Sequence, residues 1–280
     1  MRFFRVLLFA GILMGVILSC RKSVPTAYMR ALSAYVNDPY YGDYSYHYFQ
    51  INAVSPNYKP QISFNGRNIP DENTLYFFGE YSGFDTLPKV SPNAEVEMSG
   101  TYKDLNEGEK KISSKIKLPN ELSGLAVKIT GGELNISWGK PDEKQVSAIL
   151  VEAYGYCTDG SVYVSFYWDT VITDVANKTS VSKTLTSLCR GISTIVYAEF
   201  FAGAGNISGP WKGGKDNIKG IKGQYYGLSM KHDTTSWVPV SATNVKFERK
   251  IDRLEVMKKT VEALNKYLGV EEEGSWINGF

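Results

Sequence analysis

The chain contains 2 histidines, His47 and His232, and 3 cysteines, Cys20, Cys157 and Cys189, in 280 residues. A transition-metal centre gathers three or four His, Cys, Asp or Glu side chains, usually with two of them closely spaced. Neither histidine has a second one at ligand spacing, and Cys157 and Cys189 lack the close spacing of a zinc knuckle, so no metal is expected. A serine triad would need a nucleophile elbow, which the sequence lacks, and neither Cys157 nor Cys189 has a histidine nearby in sequence. Carboxylates are plentiful, but abundance assigns no acid and base pair. Gly209-Pro210-Trp211-Lys212-Gly213-Gly214-Lys215 fits the phosphate-loop pattern formally. Asp216 then stands where a hydroxyl should bind magnesium, and the glycines that follow give no helical period. The expectation is a protein that is not an enzyme.

Aromatic side chains offer more. Tyr40, Tyr41, Tyr44, Tyr46 and Tyr48 cluster in one loop and strand, and each pairs a flat apolar face with a hydroxyl. Such rings stack on sugars or anchor protein interfaces, which makes these five the candidate ligand-binding residues. The alternative is that alternate tyrosines line a sandwich core, since tyrosine is a favoured strand residue.

The elements that would carry these residues begin with a leader. Met1 to Cys20 has a basic start with Arg2 and Arg5, an apolar run from Val6 to Leu18, and a short finish. The run is too short to span a bilayer comfortably, which takes roughly 20 residues, and the layout is that of a secretory signal. Its end, Ile17-Leu18-Ser19-Cys20, resembles the lipobox of bacterial lipoproteins. The resemblance implies a diacylglyceryl group on the Cys20 sulfur, cleavage before Cys20, acylation of the freed amine, no other cofactor, and membrane attachment. Arg21 rather than aspartate follows the cysteine, which by the same resemblance favours the outer membrane. The expected signal peptide is 1–19.

The remaining chain of about 260 residues has room for two domains. With 31 Lys and Arg against 29 Asp and Glu, the net charge of +2 gives no electrostatic case for nucleic acid. The 19 tyrosines, the frequent β-branched residues and the recurring Gly, Asn, Ser and Pro point to an all-β protein. Strands are expected over 26–36, 43–54, 60–64, 74–80, 94–102 and 111–118, with a tight turn at Asn65-Gly66. In 43–54, Tyr44, Tyr46 and Tyr48 fall on one face and His47, Phe49 and Ile51 on the other. These strands make an N-terminal sandwich over 20–117. In the second series, 118–243, Leu134, Ile136 and Trp138 form an inward row. Leu122-Ser123-Gly124-Leu125, Gly132 to Trp138 with Pro141, Thr184-Leu185, Leu188, Tyr197 to Phe200 and Ser208 to Trp211 resemble a fibronectin type III domain. The resemblance implies an immunoglobulin-like sandwich over Pro119 to Trp211. The stretch from Gly155 to Val175 is long for its place. Cys157 and Cys189 would form a disulfide in an oxidising compartment, with two buried free thiols as the alternative.

Lys212 to Gly223 reads as a loop, and Gln224 to Met230 and Trp237 to Ser241 as closing strands. Leu254, Met257, Val261, Leu264 and Leu268 recur at three and four, the stripe of an amphipathic helix over 244–269, with Asn244 as N-cap and Gly269 as stop. The stripe either packs on a sandwich or drives self-association between copies. The acidic and then aromatic tail, 270–280, follows. The expected architecture is therefore two tandem immunoglobulin-like β-sandwiches plus a C-terminal helix. The expected function is that of a membrane-anchored, non-catalytic lipoprotein that binds an unknown protein or takes part in envelope assembly. The alternatives are glycan binding through the tyrosines and dimerisation through the helix.

Overall fold

A computed structural model describes residues 26–40, 42–77, 79–105, 108–130, 132–142, 146–159, 163–192, 195–206, 216–234 and 253–267, without the side chains at 77, 196, 197, 199, 204, 206, 253–255 and 264–267. The signal peptide, Cys20, Tyr41, Gly209 to Lys215, Trp237 to Ser241, Asn244 and the tail from Leu268 lie outside the described residues.

Strands form over runs rich in apolar, aromatic and β-branched residues, buried on both faces in mid-sheet and alternating at the margins, and turns form where backbone chemistry demands them. The first series runs β1 (Tyr28–Asn37), β2 (Tyr44–Asn52), β3 (Gln61–Phe64), β4 (Arg67–Asn68), β5 (Thr74–Phe77), β6 (Glu80–Asp85), β7 (Glu95–Lys103) and β8 (Glu109–Lys117). Asn65 and Gly66 join β3 to β4 with φ of 47° and 77°, the doubly left-handed turn that Asn-Gly tolerates. The second series runs β9 (Ala126–Thr130), β10 (Glu133–Ser137), β11 (Ala148–Thr158), β12 (Tyr163–Ile172), β13 (Ser180–Thr184), the short α1 (Leu185–Leu188), β14 (Ile195–Asn206) and β15 (Lys222–Thr234). The long stretch after Gly155 is thereby explained, because β11 and β12 form an extended antiparallel hairpin. The chain closes with α2 (Arg253–Tyr267).

The protein is all-β, with sandwiches and a C-terminal helix. In the second series β13-β10-β9 faces β12-β11-β14-β15, a seven-strand sandwich of immunoglobulin-like architecture. Leu134, Ile136 and Trp138 point into its core together with Ile149, Val151, Phe166 and Phe200.

The two sandwiches are not strung end to end. One sheet of eight strands, in the order β12-β11-β14-β15-β1-β2-β6-β5, runs through both. Its seam is a parallel pairing of β1 with β15, from Tyr28 opposite Lys222 to Asn37 opposite Lys231. On one face of this sheet, β4-β3-β7-β8 covers the first half and β13-β10-β9 the second. The core beneath β4-β3-β7-β8 takes Met29, Ala31, Phe49 and Ile51 from the first series and Ile218, Ile221 and Tyr225 from the second. The opposite face buries Leu32, Ala34, Tyr46, Leu150, Phe201, Leu228 and Met230 beneath Val256, Met257 and Val261 of α2.

Gly223 opens the seam with φ of 149°, and a Cβ there would lie 1.9 Å from the Met29 carbonyl oxygen. Backbone cannot yield that distance as a flexible side chain would. Gly223→Ala is expected to cost on the order of 2–4 kcal/mol in urea unfolding, through overpacking and strain at a special φ.

Two expectations need correction. Tyr44, Tyr46 and Tyr48 are buried. The predicted alternation holds, but α2 covers the face that a lone sandwich would leave to solvent, so these rings present no sugar-stacking platform. Met257 and Val261 are likewise buried within this chain's own core, which removes them from a contact between copies. Leu254 and Leu264 belong to α2, with side chains outside those described.

Candidate functional site

Among the described residues, three places carry polar chemistry: two buried networks on opposite faces of the large sheet, and a groove at its edge.

The first network centres on Glu152. Strand β11 is buried along most of its length, and Glu152 sits in mid-strand with no exposed surface. Tyr154 Oη and Tyr167 Oη donate to its Oε1 at 3.3 and 3.2 Å. Thr260 Oγ1 of α2 lies 2.9 Å from its Oε2 and also 2.9 Å from the Val256 carbonyl oxygen. A threonine hydroxyl has one proton, and in a helix it commonly goes to the carbonyl four residues back. A protonated Glu152 then completes the set, donating from Oε2 to Thr260 Oγ1 while Oε1 accepts from both tyrosines. Burial, opposed by the three hydrogen bonds and reinforced by the charge of Asp169, pushes the Glu152 carboxyl up to about 8. Burial also drives the Tyr46 and Tyr154 hydroxyls well above the usual phenol range, so both remain donors.

Beside Glu152 in register stands Phe201 of β14, and beside Phe201 stands His232 of β15. The Phe201 and His232 rings stack at 4.4 Å with a 7° interplanar angle. His232 Nδ1 lies 3.2 Å from Asp38 Oδ1, and the exposed Tyr40 sets its ring against the imidazole at 5.2 Å. Tyr40 Oη donates to Asp233 Oδ1 at 3.2 Å. Tyr40 thus packs edge-on at the sheet end, apart from the buried rings of Tyr44, Tyr46 and Tyr48.

The second network lies on the other face. Ser33 and His47 are directly opposite one another on β1 and β2. Ser33 Oγ is 2.7 Å from His47 Nδ1 and 2.7 Å from Tyr225 Oη, and His47 Nε2 is 2.8 Å from the Pro88 carbonyl oxygen. A carbonyl only accepts, so His47 carries its proton on Nε2. Ser33 then donates to Nδ1 and accepts from Tyr225, leaving every member satisfied. Burial holds the His47 imidazole below its ordinary value against the opposing pull of the Pro88 carbonyl and Asp85. A Ser and a His in contact resemble two-thirds of a hydrolase, but Ser33, His47 and Tyr225 are all sealed in the core. The third contact is a tyrosine donor rather than a base-orienting carboxylate. Ser33→Ala is expected to cost about 1–3 kcal/mol in unfolding free energy by orphaning Nδ1 and the Tyr225 hydroxyl.

Sequence reasoning missed both networks. A hairpin turning about Tyr40 sets Ser33 opposite His47, so that pair had a local signal. Nothing local marks the approach of Thr260 to Glu152.

The third place is open. β12 ends the large sheet, β13 ends the three-stranded one, and between them runs a groove of about 580 Å³ lined by Thr170, Ile172, Asp174, Lys178, Ser180 and Ser182. Its lining is mostly hydroxyl, amide and backbone. Cys157 and Cys189, in the core behind β12, are joined in a disulfide with Cα atoms 5.9 Å apart. Among the described residues no three His, Cys, Asp or Glu side chains gather as a metal site.

No protein-family model matches the chain, and no curated protein matches it. Among solved structures it is similar to the FN1-FN3 domains of chicken CNTN1, at 13% identity and a TM-score of 0.26 over 56% of each chain. The chain therefore spans little more than half the length of that structure.

Proposed function

We propose that the chain is a lipid-anchored, non-catalytic binding module of the bacterial envelope, tethered through Cys20, with the outer membrane favoured. Its proposed ligand is an extended segment of a partner protein, laid along β12. One observation carries this reading: the titratable networks at Glu152 and at Ser33-His47 are sealed with their polar atoms engaged, while among the described residues the β12–β13 edge and its groove stand open. An outer strand offers main-chain donors and acceptors in a row, and an added strand takes its affinity from them. The polar lining of Thr170, Asp174, Lys178 and Ser180 suits a peptide better than an apolar small molecule. Burial of Tyr44, Tyr46 and Tyr48 counts against the glycan alternative, and burial of Met257 and Val261 counts against the helix-paired dimer.

The anchor is tested by intact mass of the protein from its native membrane, beside Cys20→Ala. An acylated chain beginning at Cys20, lost in the variant, is expected; an unacylated chain overturns the anchor. The binding edge is tested by amide hydrogen exchange on the envelope fraction before and after detergent extraction. Slower exchange along 163–172 in the envelope is expected, and equal rates overturn the β12 assignment.

A further inference from the structure

The proposed anchor leads to a second surface, at the end of the body where β1 begins. Eight residues from Cys20 to Tyr28 span no more than roughly 28 Å, so Tyr28 is held close to the membrane. The register shows what shares that end. Tyr28 is opposite Asn52 of β2 and Lys222 of β15, and Asn52 is opposite Glu80 of β6. The β5–β6 hairpin, which turns between Phe77 and Glu80, closes there too. Ser55 donates its amide to the Lys103 carbonyl at 2.8 Å and Val54 bridges to Asp104, which brings the β7–β8 turn to the same end. Lys219 is bridged to Ser113 of β8 beside it.

Apolar side chains and cations are exposed together at this end. Leu75, Tyr76 and Leu105 are 36%, 43% and 48% exposed. Lys103, Lys111, Lys219 and Lys222 are exposed on strands and turns that reach the same end. Among the described acids nearby, Asp104 pairs with Lys110 at 2.9 Å, Glu80 accepts from Gln50 at 2.8 Å, Glu109 accepts from Tyr58 at 2.9 Å, and Asp216 accepts from the Gly223 amide at 2.9 Å. Leucine and tyrosine on the edge strand β5 and beside the β7–β8 turn, with lysines on the other strands that end here, match the layered chemistry of a phospholipid interface, with acyl and glycerol groups inside and phosphates outside.

We infer that this end is a membrane-seating face. Leu75, Tyr76 and Leu105 enter the interfacial layer of a phospholipid surface, and Lys103, Lys111, Lys219 and Lys222 meet its phosphates. The inference rests on the Cys20 anchor proposed above; the lipid chains hold the body near the surface, and this face sets its orientation. The second sandwich then stands off the membrane. A row across the sheet joins Ile172 through Ile149, Ala204 and Ser229 to Tyr35. Tyr35 lies seven residues along β1 from Tyr28, roughly 20 Å at strand rise, so the β12–β13 groove is clear of the headgroups.

The test adds the full lipidated chain to preformed vesicles of phosphatidylethanolamine and phosphatidylglycerol. After flotation, lysines are labelled with a membrane-impermeant amine reagent and read by peptide mass spectrometry, with Cys20→Ala in solution as the reference. Labelling of Lys103, Lys111, Lys219 and Lys222 is expected to slow roughly fivefold or more, while Lys128 and Lys178 keep their solution rates. The triple variant Leu75→Glu, Tyr76→Glu, Leu105→Glu, changed only at exposed positions, should still float but lose the protection. Flotation with even labelling overturns the seating face alone. Failure of the wild-type chain to float overturns the anchor and the face with it.

Discussion

Glu152→Gln is expected to make the protein more stable at pH 8 by on the order of 4 kcal/mol, with little change at pH 4. The sign follows from where the proton sits. Burial raises the folded carboxyl to about 8 against an ordinary 4.5, so between those values the folded chain binds more protons than the unfolded one. The stability that Glu152 contributes is complete below pH 4.5 and is lost as pH rises towards 8. Glutamine keeps the shape of the protonated acid: its amide donates to Thr260 and its carbonyl accepts from Tyr154 and Tyr167. His47 works in the opposite sense, because its lowered imidazole value makes the folded chain lose stability as pH falls below 6.5. Urea unfolding across this range, in wild type and variant, separates the two. A variant with the wild-type slope between pH 5 and 8 would show that Glu152 is ionised in the fold.

Reducing the Cys157–Cys189 disulfide is expected to cost about 4 kcal/mol, a similar scale by a different route. The bond closes a loop with a sequence separation of 32 residues, and chain entropy in the unfolded state accounts for about this much at that length. The loop contains β12, β13 and α1, so the loss should appear first at the open edge. A lower urea midpoint after reduction, with faster amide exchange along 163–172, is the expected result. A midpoint unchanged on reduction would show that native packing already holds that edge.

How much of this was legible in the sequence depended on how locally each feature is specified. Asn65-Gly66 set its turn through two residues' own backbone preferences. Trp138 belonged to the core because Leu134 and Ile136 alternate with it, and the spacing of Met257 and Val261 announced a helix with a buried stripe. The β5–β6 turn went unseen because Phe77 and Phe78 continue the apolar run across it. The strand partners were less visible, since alternation fixes which face a residue takes and not what covers that face. Tyr44, Tyr46 and Tyr48 therefore looked as ready for a ligand as for a core, and the answer came from a helix more than 200 residues away in the chain. Glu152 was the least legible: within Ala148 to Thr158 it reads as the polar member of a strand, and its hydroxyl partner on α2 is 108 residues further on.

The parallel seam has a consequence for the order of assembly. β1 is the first strand to leave a ribosome or an export channel, yet its partner on one side, β15, follows after nearly two hundred residues. Until β15 arrives, the first half lacks Ile218, Ile221 and Tyr225 and has an open sheet edge along β1. Contacts of such sequence separation close large loops before they return any energy, which slows folding. Until that strand arrives β1 keeps an unpaired edge, and the last large strand completes both halves at once.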